Sequence, residues 1–240
     1  MPEQPEQQAP PVQRLRVRYA KRGRLRFTSH RDFSRAFERA VFRARIPMAY
    51  SSGFNPHPRI SYAGAAPTGS ASEAEYLEIA LAQVVDPADV HAALDEALPD
   101  GLDVLEVVVS GGGSLSDRLE ASRWQIVLTD VPADEAEAAV AAFRAHEEVT
   151  VERMTKKGLR TFNCRAAVVA IAAQAAEQGS VLDVVIRQGS PSVRPDDVLA
   201  GLKSTGGLHV PSPPLQRRLA QGPWDDATGQ VGDPLATDRG

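Results

Sequence analysis

A chain of 240 residues, 42 % hydrophobic and 24 % charged, has room for one large domain or two smaller ones and can bury a core, which excludes disorder throughout. Its single cysteine, Cys164, excludes an internal disulfide framework and any multi-cysteine metal or iron–sulfur site. The formal charge of −4 hides an asymmetry: residues 13–60 hold 13 of the 27 Lys+Arg against two acids, Asp32 and Glu38, a local +11 that leaves −15 for the rest.

Residues 1–12 and 211–240, rich in Pro with Gln or Gly, read as flexible tails. Between them the Gly/Ser run SGGGSLS marks a linker, 110–117, separating a first patterned half, 13–109, from a second, 118–210.

In the first half Leu15, Val17 and Tyr19 alternate with Arg14, Arg16 and Arg18, a half-buried strand with a basic outer face. Arg24–Phe27 reads as its continuation or partner across a turn at 21–23. Ser29 with Asp32 three residues on resembles a capping box. A helix follows with Phe33, Ala36, Phe37, Ala40, Val41 and Ala44 on one face, stopped by Pro47. After the Gly/Asn/Pro loop Ser51–Pro58, strands are expected at Arg59–Ala63 and Glu75–Leu81, the latter with Leu77, Ile79 and Leu81 inward against Tyr76 and Glu78. Asp86 and Pro87 open a helix to Leu98, and Leu102–Val109 closes the half as a strand. The order β-α-β-β-α-β is that of a ferredoxin-like unit.

The second half reads as a degenerate repeat of that order: strand Trp124–Thr129, helix Ala133–His146, a hairpin of Val149–Met154 and Arg160–Arg165, strand Val181–Ile186, and helix Pro195–Leu202. Residues 166–176 fit a helix or a buried strand equally. The expected class is α+β, two tandem ferredoxin-like units with flexible tails.

Several blocks carry a family resemblance: Gly23–Phe27 with Ser29-His30-Arg31-Asp32, Tyr50-Ser51 through Gly53-Phe54-Asn55-Pro56-His57-Pro58, Pro67-Thr68-Gly69, and Ser72 with Glu75-Tyr76-Leu77. Weaker agreement runs through Lys156-Lys157-Gly158, Arg160 to Arg165, and Ser192-Val193-Arg194-Pro195. Over residues 14–203 the chain resembles the radical-SAM-associated (radical-SAM-linked) family of bacteria, whose molecular role is not established. The resemblance implies a radical SAM enzyme as partner; the chain lacks the three-cysteine cluster of such an enzyme itself. One departure is Asn163-Cys164-Arg165, where the family pattern favours an acid before the Arg.

Arginine's planar, always-charged fork suits phosphate. Arg31, Arg35, Arg39 and Arg43 recur at i+4, so they share a helix stripe with only Glu38 for local pairing. With Arg14, Arg16 and Arg18 they make a candidate surface for an RNA backbone, which Lys157, Arg160 and Arg165 of the second hairpin would join. The alternative for the strand arginines is cross-strand pairing with Glu78 and Glu106. Phe27 and Tyr76 are the only candidates for an exposed stacking pair, which argues for backbone contact over base stacking. His30, Asp32, Asn55, His57 and Arg59 are candidates for a phosphate or nucleotide pocket. Asp32 equally suits a helix cap, the His/Asp set lacks ligand spacing for a metal, and Cys164 reads as structural.

No catalytic constellation is evident, and no cofactor is expected. The reading is a cytoplasmic accessory protein with a radical SAM partner and RNA or another phosphate-bearing substrate as ligand, and no membrane or DNA partner. The alternatives are an RNA- or nucleotide-modifying enzyme using His30, Asp32 or His57 as acid–base groups, and a non-catalytic protein docking an acidic partner.

Overall fold

The computed structural model describes residues 7–155 and 158–239. The chain is α+β, with four α-helices among the described residues, none of them long and apolar enough to cross a membrane. It divides into two units: residues up to Arg118 together with those from Pro234 onward, and Leu119–Asp233.

The first unit runs β1 (Gln13–Lys21), α1 (His30–Arg43), β2 (Ile60–Ala63), β3 (Ala71–Leu81), α2 (Pro87–Ala97), β4 (Val104–Val109). Its strands lie in the order β4-β1-β3-β2, every pair antiparallel. Leu15, Val17, Leu77, Ile79 and Leu81 form one core with Phe33, Phe37 and Val41 of α1 and Val90 and Leu94 of α2. Tyr19 stacks on Phe33 at 4.6 Å between ring centroids.

Both helices begin where side chains satisfy free N–H groups. The Ser29 hydroxyl accepts from the Asp32 N–H at 3.2 Å and donates to the Asp32 carboxylate at 2.7 Å. Asp86 accepts from the Ala88 N–H ahead of Pro87. At its far end α1 closes with the Ile46 N–H on the Val41 carbonyl and the Arg45 N–H on that of Phe42. This double closure requires a left-handed residue, usually glycine, and here Arg45 takes it at φ 53°.

Three expectations need correction in this unit. Gly23–Phe27 is a 3₁₀ turn and not a strand, because Gly23 takes φ 54° and breaks the extended chain. Tyr76 is buried, since β3 is covered on both faces. The Gly/Ser run is not a free linker but part of the first unit: the boundary falls after Arg118, just beyond 110–117, and the Gly112 and Gly113 carbonyls accept from Arg16.

The second unit runs β5 (Ala121–Thr129), α3 (Ala133–Ala145), β6 (Thr150–Thr155), β7 (Gly158–Asn163), β8 (Val168–Ala176), β9 (Gly179–Arg187), α4 (Pro195–Gly206), β10 (Leu215–Gly222). Its sheet order is β10-β5-β9-β8, again antiparallel throughout. The β6–β7 hairpin forms its own two-stranded sheet. Helices α3 and α4 approach so closely that a Cβ on Gly206 would sit 2.5 Å from the Ala139 Cα. The ambiguous 166–176 stretch is strand β8.

Residues 211–240 are not a flexible tail. They supply β10, a short hairpin of β11 (Trp224–Asp225) and β12 (Gln230–Val231), and a return into the first unit where Leu235 is buried. At the other end, of the expected tail 1–12, the Gln8 N–H donates to Ser52 and the Val12 N–H to the Leu81 carbonyl; residues 1–6 lie outside the described residues.

Candidate nucleic-acid interface

The β1–β3 register sets Arg16 opposite Glu78, and this decides the fate of the strand arginines. Arg16 is 0 % exposed. Its five N–H donors meet Glu78 at 3.1 Å, both Asp238 oxygens at 3.0 and 2.8 Å, and the carbonyls of Gly112 and Gly113 at 2.8 and 2.7 Å. Arg14 donates to Glu78 at 3.0 Å, and Arg18 to the Glu73 carbonyl at 3.0 Å. Glu106, the cross-strand neighbour of Arg18, is taken at 2.6 Å by Arg239. Arg16 therefore cannot hold a phosphate, contrary to the sequence reading, because burial without an internal acid would cost too much. On the sheet face that reads as basic, Arg14 and Arg16 are paired with acids of their own unit, while Arg18 meets a carbonyl.

Helix α1 differs. Arg31, Arg35, Arg39 and Arg43 are all exposed, and none has a salt-bridge partner among the described residues. Spaced four residues apart, they advance about 6 Å per step along the helix, so an extended polyanion can be met at several points. Arg35, Arg39 and Arg43 line a cleft of about 990 Å³, whose other wall is the C-terminal end of α2 with Leu98 and Pro99. A second cleft of about 600 Å³ shares Glu38, Phe42 and Arg43 with the first and is lined further by Arg45 and Tyr50. Phe42 borders both and is 82 % exposed.

The sequence did not single out Phe42 for this surface. Its signal is its place: an aromatic off the apolar face, between arginines at 39 and 43, has nothing of its own helix to cover it. Phe54, 75 % exposed, and Phe27, over which Arg26 lies at 4.5 Å, are two further exposed aromatics of this unit.

The five pocket candidates do not assemble. His30 is exposed, its ring edge-on to Tyr62 at 5.0 Å, and burial raises the Tyr62 phenol above its ordinary pKa. Asp32 serves as a cap. Asn55 and His57 are exposed on a loop closed by the Tyr50–Pro58 bridge, with the His57 N–H on Ser51 and the Ser51 N–H on the His57 carbonyl. Arg59 is half-buried and donates to the Tyr50 carbonyl at 3.0 Å. No hydrogen bond or ion pair joins these five to one another among the described residues, and no group of three or more His, Cys, Asp or Glu there is placed to hold a metal.

In the second unit Arg160 is exposed on β7, while Lys156 and Lys157 lie outside the described residues. Arg165 is not a free cation: it lies over the Phe143 ring at 5.7 Å and donates to the Val168 carbonyl at 2.9 Å. Asn163 fills a role open to an acid, accepting the N–H groups of Val149 at 3.1 Å and Arg165 at 3.0 Å. Cys164 is buried; burial and then the Asp197 charge push its thiol up to about 11, which disfavours the reactive thiolate.

These features define an α+β protein with a stripe of four exposed arginines on one helix, none with a salt-bridge partner among the described residues. The chain belongs to a family of bacterial proteins described as "Uncharacterized protein conserved in bacteria (DUF2344)", whose model matches residues 14–195. None of the curated proteins compared with it matches. Among solved structures it is similar to a chain of "Crystal Structure of a Cbf5-Nop10-Gar1 Complex", at 13 % identity and a TM-score of 0.46, over 93 % of this chain. The chain spans 56 % of the length of that one.

Proposed function

We propose that the protein is a non-catalytic accessory protein that binds RNA along the outer face of α1, in company with a radical SAM enzyme in the cytoplasm. One observation carries the RNA reading: four exposed arginines at i+4 spacing have no salt-bridge partner among the described residues, and three of them, Arg35, Arg39 and Arg43, line a cleft of about 990 Å³. The radical SAM partner rests on the sequence resemblance through Gly23–Leu77. Each unit is assigned as ferredoxin-like; the support is the shared strand order fourth, first, third, second, in which the third strand lies between the strand before the first helix and the one after it. In the second unit β6–β7 is then an insertion.

The experiment is binding of a single-stranded RNA by the full chain and by Arg35→Ala/Arg39→Ala/Arg43→Ala. The variant should keep the wild-type unfolding curve and lose most affinity. Equal binding by both would remove α1 as the contact surface. Binding of an acidic peptide in preference to RNA would move the same surface to a docking role.

A further inference from the structure

We infer that the ligand of α1 is single-stranded and that Phe42 is its base-stacking residue. This rests on the RNA-binding reading above and names what that surface recognises. An arginine stripe alone attracts any polyanion, duplex or single-stranded, because phosphate contact carries no information about the bases. Phe42 breaks that equivalence. It stands out from α1 at 82 % exposure, close in sequence to Arg39 and Arg43, and borders both the 990 Å³ and the 600 Å³ cleft.

Leaving so large an apolar ring in water has no counterpart in the packing of this helix, whose buried face is complete with Phe33, Phe37, Ala40 and Val41. Each base has a π-face, so a ring of this kind accepts any of them without hydrogen-bond readout. A duplex keeps its bases stacked internally and offers Phe42 only its backbone. An unpaired strand offers a base to the ring and phosphates to Arg39 and Arg43 at once. The cleft wall adds a second element: Leu98 and Pro99 give an apolar surface facing the same space, and Glu96 gives an acceptor at its rim for exocyclic amino groups. Both clefts that Phe42 borders leave open space beside the ring for a base.

The test uses the full chain with three probes: a ten-nucleotide single-stranded RNA, a ten-base-pair RNA duplex, and a poly-glutamate peptide. Phe42→Ala should weaken single-strand binding about 5- to 150-fold, the equivalent of one base stack. It should leave duplex binding and the salt slope unchanged, since no charge is removed. Phe42→Trp should restore affinity and Phe42→Leu should not, which separates stacking from bulk. Wild-type single-strand affinity retained in Phe42→Ala, or equal losses for strand and duplex, would overturn the inference and leave the arginine surface standing. Absence of RNA binding by the wild type at low salt, or capture of poly-glutamate instead, would overturn both together.

Discussion

Arg16 of β1 and Asp238 lie 222 residues apart in the chain and 2.8 Å apart in space, each with its side chain 0 % exposed. The same carboxylate accepts from Arg118 at 2.8 Å and from the Gly111 N–H at 2.9 Å. The last residues of the chain thereby complete the first unit and neutralise the arginine that its first strand would otherwise bury alone.

Removing one partner of such a pair strands the other in the interior. Asp238→Ala should cost about 3–5 kcal/mol, read from urea unfolding of the full chain at neutral pH. Arg35→Ala, on the exposed face of α1, should stay within about 0.5 kcal/mol of wild type. Similar small losses for both would show that the Arg16–Asp238 contact is not a structural anchor.

The same pair predicts a pH dependence. Desolvation acts to raise the Asp238 carboxyl, but hydrogen bonds from Arg16, the Gly111 N–H and Arg118 outweigh it and hold the group below its ordinary value. A carboxyl held low when folded stabilises the protein above the unfolded value, about 3.9, and that contribution disappears as pH falls through the folded value. The stability gap between wild type and Asp238→Asn should therefore narrow between pH 6 and pH 3. A gap independent of pH would contradict this assignment.

Much of the first unit was legible because its signals are local. Ser29 and Asp86 mark helix starts, Pro47 forbids continuation, and the alternation of Leu15, Val17 and Tyr19 fixes which face is buried. The fate of Arg16 was not legible: its partners are Glu78, reachable only once the strand register is known, and Asp238, at the other end of the chain. β10 was missed for a related reason. Its inward side chains include Gln216 and Arg218, buried polar groups that make a strand read as a solvated tail. β8 is nearly all alanine and valine, so no period distinguishes helix from strand. For the candidate site, the α1 stripe was readable from i+4 spacing alone. No hydrogen bond or ion pair joins the five pocket candidates among the described residues, and the cap made by Asp32 and the loop contact made by Arg59 show why proximity in a motif does not assemble a site.

Arg45 offers a separate handle on the surface. It occupies a left-handed backbone position that glycine adopts freely, and it lines the cleft beside Phe42. Arg45→Gly should keep or raise stability, by up to about 1 kcal/mol, while lowering RNA affinity. Thermal unfolding alongside RNA binding checks both halves; a destabilised variant with unchanged affinity would reverse the interpretation.

Cys164 should be inert. With its thiol at about 11 and its side chain buried beside Phe143 and Gly201, alkylation of the native protein at pH 8 should be slow and should accelerate on unfolding. Rapid labelling of the folded chain by iodoacetamide, followed by mass spectrometry, would show the second unit to be open at this point.

The most direct measurement is the salt dependence of single-stranded RNA binding by the wild type and by the variant with Arg31, Arg35, Arg39 and Arg43 all changed to Ala. Every arginine that neutralises a phosphate should add about 0.7 to the slope of log affinity against log salt, and its removal should flatten the plot by as much. The account predicts a steep wild-type slope and a variant slope shallower by about 3, with the fold intact. Parallel slopes, or no binding by the wild type at low salt, would contradict it.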